Sequence, residues 1–538
     1  MLFWKIIGST LLNYFQIKNK EIKNNKDTIV KPITTLFSLL GVMGLLFVFM
    51  SFFPKEGVLI GDLKLEFPTT NEFFVLDVKK DSVLKKDEID LVKSIDSAAI
   101  LKKIDSTLNK QKQDSVYKIR LDSIIKFKLD SISKVGKSIQ GNEKAFESLH
   151  QFFTSLENAK NKKVRILHYG DSQIESDRIT SYLRNQLQRK YGGSGVGLFP
   201  VIQVSQKWTL NNEISENWKR YTGFGRKDSA VKHRKYGSLM SFCRFTPIPQ
   251  DSIFDEVEDF EGWIKIKKAK LSYRKIQKYA LVNIYLRNWN YDVGYEIIAD
   301  GQIVKSGSIK SKTSFQKIQA SFSTTPNELE IKFKGKESPD IFGISLEGKN
   351  GIVMDNIPLR GSSGTLFTRQ DAGLLKQMYK SLSPNMIILE FGGNTVPYIK
   401  YNKQIKDYGN WFKQQIQYLK RINPNATILV IGPGDMSIKE KTEFITQPHL
   451  EAIRDAVKEA ALSSDCLFWD MYEGMGGKNS MPLWVNTEPA LGASDYIHFT
   501  PKGAVKISQI FIKELFKMYD TYESSIKQEK EVVNDSIH

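Results

Sequence analysis

The feature that most constrains the fold is an alternation of strands and helices that a long β-rich block interrupts. The apolar run VRILHYG at 164–170 precedes helical spacing, and the same order returns at 386–393, 426–434 and 466–470. Apolar strands that alternate with helices indicate a parallel sheet covered on both faces. From 205 to 350 the runs are short, alternate in polarity and are separated by turn residues, as in a β-sandwich. We therefore predict an α/β domain that is split by an inserted all-β sandwich.

An uncharged apolar segment at 33–53 predicts a membrane anchor. It is long enough to cross about 30 Å of hydrocarbon as a transmembrane helix. Six lysines precede it and only two follow closely, so the positive-inside rule predicts a cytoplasmic N-terminus. The remainder would then be extracytoplasmic, or periplasmic if a second membrane is present. A cleavable signal peptide fits less well, because the run starts late and lacks a small-residue cleavage motif.

The segment from about Lys79 to Ser138 is rich in lysine, aspartate and serine, and it has almost no glycine or proline. A helical stalk and a disordered linker are equally compatible with this composition. In chain order, we predict a cytoplasmic segment 1–32, the anchor 33–53, a stalk or linker 54–140, a first α/β segment 141–204, the β-insert 205–350, a second α/β segment 351–523 and a tail 524–538.

Composition excludes several classes of protein. With 41% hydrophobic and 26% charged residues, the chain is neither wholly disordered nor a polytopic membrane protein. The net charge is +18, but the lysines are dispersed and not interleaved with aromatic residues, so no nucleic-acid partner is predicted. Two cysteines, Cys243 and Cys466, exclude a disulfide scaffold and give no metal-site pattern, and we expect free thiols.

Two motifs carry the residue types of nucleophilic catalysis. GDSQ at 170–173 places Ser172 between a predicted strand and a predicted helix, where its hydroxyl is exposed at the sheet edge. SDYIH at 494–498 separates Asp495 from His498 by about one turn. At that spacing the aspartate can orient the imidazole through Nδ1, which leaves Nε2 free to take the serine proton.

Two further motifs supply donors for a developing oxyanion. GGN at 392–394 ends an apolar strand, and the side-chain amide of Asn394 can donate a hydrogen bond there. RGSSGT at 360–365 offers the backbone N–H of Gly364 to the same oxygen. Each motif alone is a weak signal, but together they occur in one fixed order along the chain.

This order, GDS, then Gly, GGN and DxxH, resembles the SGNH hydrolase superfamily of GDSL-like lipases and esterases. The resemblance covers roughly 160–205 and 355–515. It implies a three-layer α/β/α, flavodoxin-like sandwich with Ser172 as nucleophile, His498 as general base and Asp495 as orienting acid. The backbone N–H of Ser172, the N–H of Gly364 and the side chain of Asn394 would form the oxyanion hole, with no cofactor or metal.

A narrower resemblance is to peptidoglycan O-acetylesterases. It is carried by the stretch at 475–504 and by the position of the β-insert, which in those proteins is a carbohydrate-binding-like sandwich. Gln173 replaces the leucine that is usual in the first block, which disfavours a lipase.

The residues near the predicted nucleophile also have structural interpretations. We expect His168 to be packed behind the site and Asp171 to bond loop amides. Glu175 and Arg178 are expected to form an ion pair on a helix surface, and the alternative is that Arg178 reaches the pocket. Met475 and Trp484 could line the site or pack in the core, and the sequence leaves both alternatives open.

The function that these features predict is a membrane-anchored serine esterase that removes O-acetyl groups from an envelope polysaccharide, most plausibly peptidoglycan. An O-acetyltransferase that works with an acetyl-exporting membrane protein would use the same triad. A non-catalytic glycan-binding scaffold would need only the anchor, the stalk and the insert. The sequence does not separate hydrolysis from transfer, because both proceed through the same acyl-serine.

Overall fold

In the computed structural model the described residues are 58–60, 63–65, 139–249 and 258–535. The chain divides into two units, Met1–Ser94 and Ile95–His538. The first contributes two antiparallel strands, Val58–Ile60 and Leu63–Leu65, in which Leu59 pairs with Lys64.

The predicted anchor at 33–53 and nearly all of the predicted stalk lie outside the described residues. No helix within the described ranges is both long enough and apolar enough to span a membrane.

The strands are, in chain order, β1 (Val58–Ile60), β2 (Leu63–Leu65), β3 (Lys163–Gly170), β4 (Gly197–Phe199), β5 (Asn211–Ile214), β6 (Lys219–Thr222), β7 (Ser241–Arg244), β8 (Phe260–Lys267), β9 (Leu281–Arg287), β10 (Val293–Ala299), β11 (Gln302–Ile309), β12 (Gln316–Ser321), β13 (Glu328–Gly335), β14 (Asp340–Glu347), β15 (Gly351–Pro358), β16 (Pro384–Glu390), β17 (Thr427–Ile431), β18 (Ser437–Glu440), β19 (Glu443–Thr446) and β20 (Leu467–Trp469). The helices are α1 (Glu143–Glu157), α2 (Thr180–Tyr191), α3 (Ala372–Leu382), α4 (Asn402–Ile422), α5 (Leu450–Leu462), α6 (Met471–Met475), α7 (Ser480–Val485) and α8 (Pro501–Asp535).

Five parallel strands form the sheet of the α/β domain, in the spatial order β15–β3–β16–β17–β20. Numbered along the chain within this sheet, the order is 2-1-3-4-5, which is the flavodoxin-like arrangement. The predicted parallel sheet is confirmed. Four of its strands, β3, β16, β17 and β20, fall on the predicted apolar runs, whereas β15 was not predicted.

Both faces of this sheet are covered by helices. Alternate residues of β3 point to opposite sides, so that Ile166 lies in one apolar core and Leu167 in the other. The core around Ile166 includes α1, α2 and α8, whereas the core around Leu167 includes α3, α4 and α5. Burial on both faces explains why the strands read as continuous apolar runs.

Side-chain caps define where two of these helices begin. Asn142 Oδ1 accepts the N–H of Ala145 at 3.0 Å before α1, and Asp371 Oδ1 accepts the N–H of Leu374 at 2.8 Å before α3. Each cap satisfies a backbone donor that a helix N-terminus leaves without a partner.

The insert is a sandwich of two antiparallel sheets. One has the order β11–β10–β13–β8–β5, and the other has the order β12–β9–β14–β7–β6, with β4 also paired to β14. A separate apolar core fills the space between them, and Ile264, Ile297, Ile331 and Ile344 are each fully buried in it. Leu239 and Phe342 join the core of the α/β domain instead, so the second sheet also packs against that domain.

The two ends of the insert lie side by side. The N–H of Gly348 donates to the carbonyl oxygen of Ser194 at 3.0 Å, and the N–H of Ile352 donates to that of Gly192 at 3.0 Å. Gly193 has φ +101°, and a β-carbon there would lie 2.3 Å from the backbone nitrogen of Ile352. Only glycine at position 193 permits the two segments that connect the sandwich to the α/β domain to approach this closely.

Some boundaries differ from those that the sequence suggested. Strand β4 pairs with β14 through Gly197 and Leu346, so the sandwich begins before residue 205. Helix α8 continues past residue 523, into the segment predicted as a tail. Cys243 and Cys466 are both buried free thiols, and burial raises their pKa values to about 11 and about 12.

Candidate active site

The predicted site residues meet at the carboxyl edge of the parallel sheet. β3 ends at Gly170 and β16 ends at Glu390, and these two residues are paired neighbours in the sheet. Ser172 therefore follows one strand and Asn394 follows the adjacent one. This edge is where parallel α/β sheets bind ligands.

Ser172, His498 and Asp495 form one hydrogen-bonded chain. Ser172 Oγ lies 2.8 Å from His498 Nε2, and His498 Nδ1 lies 2.7 Å from Asp495 Oδ2. The serine is therefore within reach of a base whose other nitrogen is held by a carboxylate. This geometry is that of an activated nucleophile.

Asp495 is fixed by its own loop. Its Oδ1 accepts the backbone N–H groups of Ile497 and His498, each at 2.9 Å. Partial burial alone would raise the pKa of Asp495, but the hydrogen bonds from His498 and Ile497 outweigh burial and hold the pKa below its ordinary value. The carboxylate is thus charged when it faces the imidazole.

Gln173 and Arg178 connect Ser172 to the loop at 494–499 that carries His498, the histidine loop. Gln173 Nε2 donates to the carbonyl oxygen of Ile497 at 2.6 Å. Arg178 donates to the carbonyl oxygens of both Ser172 and Phe499. Two side chains from one turn thereby hold the backbone on either side of His498, the predicted general base. No local sequence signal predicts the contacts with the histidine loop, because they join residues more than 320 positions apart.

The predicted ion pair between Glu175 and Arg178 is wrong. Glu175 pairs instead with Arg360 through two hydrogen bonds of 2.7 Å, and Arg178 is turned toward backbone carbonyls. The predicted helix after Ser172 is interrupted at the same place, because Ser176 and Asp177 have positive φ values of 55° and 64°. Regular α-helix begins only at Thr180.

A small antiparallel hairpin, β18–β19, packs against the histidine loop at Tyr496. The rings of Phe444 and Tyr496 are stacked with centroids 3.6 Å apart and an interplanar angle of 4°. The N–H of Ser437 donates to the carbonyl oxygen of Tyr496 at 2.9 Å. Tyr496 has φ +58° and lies between Asp495 and His498, so the hairpin supports the strained residue of the loop.

Two of the predicted oxyanion donors are engaged by acceptors of the protein itself. Asn394 Nδ2 donates to Asp171 Oδ2 at 3.0 Å and to the carbonyl oxygen of Ser362 at 3.3 Å. The N–H of Gly364 donates to Ser362 Oγ at 3.1 Å. Asn394 lines the cavity beside Ser172, whereas Gly364 is not among its lining residues.

Buried acidic groups lie beneath the nucleophile. Asp171 Oδ1 accepts the N–H of Gln173 at 2.9 Å, and burial raises the pKa of Asp171 to about 7, with Glu390 adding to the shift. Glu390 Oε2 lies 3.0 Å from His168 Nε2, while its Oε1 has no partner among the described residues. His168 Nδ1 lies 3.0 Å from Thr180 Oγ1. His168 is thus packed behind the site, and His498 is the histidine that contacts the serine.

The cavity at Ser172 has a volume of about 190 Å³ and is lined by both polar and apolar groups. Ser172, His498 and Asn394 are among its polar lining, and Pro433 and Met436 are among its apolar lining. Tyr398 is 74% exposed and also lines this cavity. By contrast, Met475 and Trp484 are buried in the core and are not lining residues.

Within the ranges that the structure describes, no group of three or more His, Cys, Asp or Glu side chains could hold a metal ion.

Residues 334–505 match the family model of the GDSL-like lipase/acylhydrolase family. The match covers the loops that carry Gly364, Asn394, Asp495 and His498, and Ser172 precedes it because the sandwich is inserted between them. The fold, the serine–histidine–aspartate geometry and this match support a carboxylic ester hydrolase whose α/β domain resembles the SGNH hydrolases. Comparison with curated proteins gives no significant match.

A solved structure of a peptidoglycan O-acetylesterase is similar to this chain, with a TM-score of 0.56 and 18% identity. The alignment covers 71% of this chain and 98% of that protein, so the similarity extends beyond the α/β domain. A family two carbohydrate esterase from Clostridium thermocellum, solved with cellohexaose, aligns with a TM-score of 0.22 and 9% identity over 48% of this chain and 93% of its own. The chain thus resembles a peptidoglycan O-acetylesterase in fold, and residues 334–505 are similar to the GDSL-like lipase/acylhydrolase family.

Proposed function

We propose that this protein is a serine esterase that removes O-acetyl groups from an extracytoplasmic polysaccharide, with peptidoglycan as the leading candidate. The observation that carries the proposal is the chain from Ser172 Oγ through His498 to Asp495, which opens into a cavity. The substrate class is supported by the fold shared with a peptidoglycan O-acetylesterase.

The reaction follows from these positions. Ser172 Oγ attacks the ester carbonyl carbon as His498 Nε2 takes its proton. The imidazolium then gives that proton to the departing sugar oxygen, which leaves an acetyl group on Ser172. Water, deprotonated by His498, attacks the acetyl-serine and releases acetate and free Ser172.

The oxyanion requires donors that the protein now uses internally. An ester oxygen near Ser172 would compete with Asp171 and Ser362 for the amide of Asn394, and with Ser362 Oγ for the N–H of Gly364. In the proposed reaction these acceptors are replaced by the substrate oxygen when negative charge develops. Each such donor is typically worth about 10²–10³ in rate.

The test is acetate release from O-acetylated peptidoglycan and from an aryl acetate, by wild type and by Ser172→Ala. We expect release from both substrates, with a loss of several orders of magnitude in the variant. Ser306→Ala, at an exposed strand position, is the matched control and should retain wild-type rates. Equal rates in Ser172→Ala and wild type would contradict the proposal.

The same assay separates hydrolysis from transfer. With excess unacetylated glycan present, an esterase yields free acetate, whereas a transferase yields newly acetylated sugar. Serine-dependent acetylation of the glycan, without free acetate, would replace the esterase by an O-acetyltransferase. That outcome would favour partnership with a membrane protein that exports acetyl groups.

We further propose, from the sequence, that 33–53 anchors the chain with residues 1–32 in the cytoplasm. The uncharged run and the lysines before it support this topology. In cells from which the wall has been removed, external protease should digest the α/β domain while the cells remain intact. Protection of that domain until the cells are lysed would contradict the topology.

A further inference from the structure

A second, smaller cavity lies between the sandwich and the α/β domain. Its volume is about 20 Å³, and its polar lining includes Gln203, Ser205, Lys207, Arg220 and Asn356. That volume admits about one water molecule or the tip of a small polar ligand. The rim is open to solvent, since the lining residue Val204 is 56% exposed.

Arg220 brings an unbalanced charge to this cavity. It lies on β6 opposite the buried Cys243 of β7, and its Nη1 donates to the carbonyl oxygen of Ile202 at a long 3.4 Å. Its Nε is buried and has no hydrogen-bond partner among the described residues. No carboxylate in the described part of the chain forms a salt bridge with Arg220, and burial lowers the pKa of its guanidinium.

Lys207 is the second cation of the cavity and is only 2% exposed. Its Nζ donates to the backbone carbonyl oxygen of Asn356 at 2.9 Å. Burial lowers the pKa of Lys207 to about 8, against the favourable effect of the nearby Asp177. Arg184 and, to a smaller extent, Arg220 also lower the pKa of Lys207, whereas Asp355 raises it, and Lys207 and Arg220 line the same cavity.

The nearest carboxylates already form salt bridges with other arginines. Asp177 pairs with Arg184 at 2.6 Å, and Asp355 pairs with Arg165 at 2.6 Å. The positive charges of Lys207 and Arg220 are therefore in excess. Lys207 is buried and Arg220 is partly buried, so charges of one sign without counterions are costly here, and an anion in the cavity would offset that cost.

We propose that Lys207 and Arg220 form a binding site for a small oxyanion, with a carboxylate group as its ligand. A carboxylate matches the fork of a guanidinium group and can accept from an ammonium group at the same time. Gln203 and Ser205 add neutral polar side chains at the same cavity.

The position of the site points to two sources of the carboxylate. The wall formed by Asn356, Ile357 and Pro358 belongs to the end of β15, and Pro358 pairs with Gly170 two residues before the nucleophile. In addition, Ser205 Oγ lies 2.7 Å from Ser176 Oγ in the turn after Ser172. A carboxylate could come from a free anion such as acetate or, if the proposed function holds, from a group carried by the glycan.

The first test measures the melting temperature with increasing sodium acetate and, separately, with acetamide as the neutral isostere. At about five times its Kd, acetate should raise the wild-type Tm by about 2–4 °C, and acetamide should not. Arg220→Gln and Lys207→Met should lose the acetate effect, and Arg220→Lys should keep part of it. Arg226→Gln, at an exposed position of the same domain, should respond like wild type.

The same acetate-dependent rise in Arg220→Gln as in wild type would overturn the proposal, since binding would then lie elsewhere, for instance at Ser172. If Arg220→Gln does not fold, the comparison of Arg220→Lys with wild type decides. This measurement needs no catalysis, so its failure is separate from a failure of the proposed esterase function.

The second test distinguishes the two sources. Soluble O-acetylated peptidoglycan fragments are compared in their free-carboxylate and amidated forms. If the glycan supplies the carboxylate, Arg220→Gln should raise KM several-fold for the free form alone, with aryl acetate turnover unchanged. If a free anion is the ligand, the two glycan forms should have equal KM values in wild type and in Arg220→Gln. Acetate should then still raise the Tm of wild type and not that of Arg220→Gln.

Discussion

Gln173 Nε2 donates a hydrogen bond of 2.6 Å to the backbone carbonyl oxygen of Ile497. The residue directly after Ser172, the proposed nucleophile, thereby holds the residue directly before His498, the proposed general base. The amide oxygen of Gln173 also lies 3.4 Å from the N–H of Phe499 on the other side of His498. A leucine at this position, as in the usual GDSL motif, could make neither contact.

Gln173→Leu should therefore lower kcat more than it raises KM. The histidine loop would lose its tether, and the distance between Ser172 Oγ and His498 Nε2 would no longer be fixed at 2.8 Å. A misplacement of about 1 Å can cost on the order of 10²-fold in rate. Steady-state kinetics on an aryl acetate would measure this. Gln302→Leu, on an exposed strand, is the control, and wild-type kcat in Gln173→Leu would show that the tether is dispensable.

The stack of Phe444 on Tyr496 predicts a second effect on the same loop. Phe444→Ala removes an aromatic contact worth about 0.5–1.5 kcal/mol beyond its buried area, and kcat should fall several-fold. Phe444→Tyr keeps the ring and should retain near wild-type kcat. An unchanged kcat in the alanine variant, with a lowered Tm, would limit the hairpin to a role in stability.

The raised pKa of Asp171 predicts how the stability of the protein depends on pH. Its pKa is raised from an ordinary value of 3.8 to about 7, chiefly by burial, so the folded protein binds this proton more tightly than the unfolded chain does. The contribution of Asp171 to the free energy of unfolding is then highest below about pH 4 and declines up to about pH 7, by at most about 4 kcal/mol.

Urea unfolding of wild type and Asp171→Asn between pH 4 and pH 8 would measure this contribution as the difference between the two curves. Wild type should lose stability relative to the variant as the pH rises. Asp259→Asn replaces an exposed carboxylate, and its curve of unfolding free energy against pH should be parallel to that of wild type. Parallel curves for Asp171→Asn and wild type would mean that Asp171 ionises normally.

Tyr398 predicts a difference between glycan and small-ester substrates. It lines the cavity and is 74% exposed, so its ring is available to pack against a sugar. Tyr398→Ala should raise KM for O-acetylated glycan several-fold and leave aryl acetate kinetics unchanged. Trp411→Ala removes another aromatic ring, 55% exposed, that is not among the lining residues, and should affect neither substrate. Equal KM for glycan in Tyr398→Ala and wild type would exclude this contact.

Local sequence signals predicted four of the five strands of the parallel sheet and missed β15. Apolar runs marked β3, β16, β17 and β20, because strands buried on both faces need apolar residues throughout. The spacing of Asp495 and His498 predicted their contact, since it forms within one turn of a single loop. The meeting of these two residues with Ser172 rested on the resemblance to a known family.

Contacts between distant segments could not be inferred in the same way. Glu175 selects Arg360, 185 positions away, over Arg178 at helical spacing, because the helix is broken at Ser176 and Asp177. The engagement of Asn394 by Asp171 likewise depends on how two neighbouring strands end. Such partners are fixed by tertiary packing, which overrides local propensity.

The central claim is that Ser172 is the nucleophile and carries the acyl group. It is tested most directly by mixing the protein with an aryl acetate, quenching with acid at early times and locating the acetyl group by peptide mass spectrometry. We predict one acetyl group on the peptide that contains Ser172, and none there in Ser172→Ala. Acetylation at another residue during turnover, with Ser172 unmodified, would contradict it.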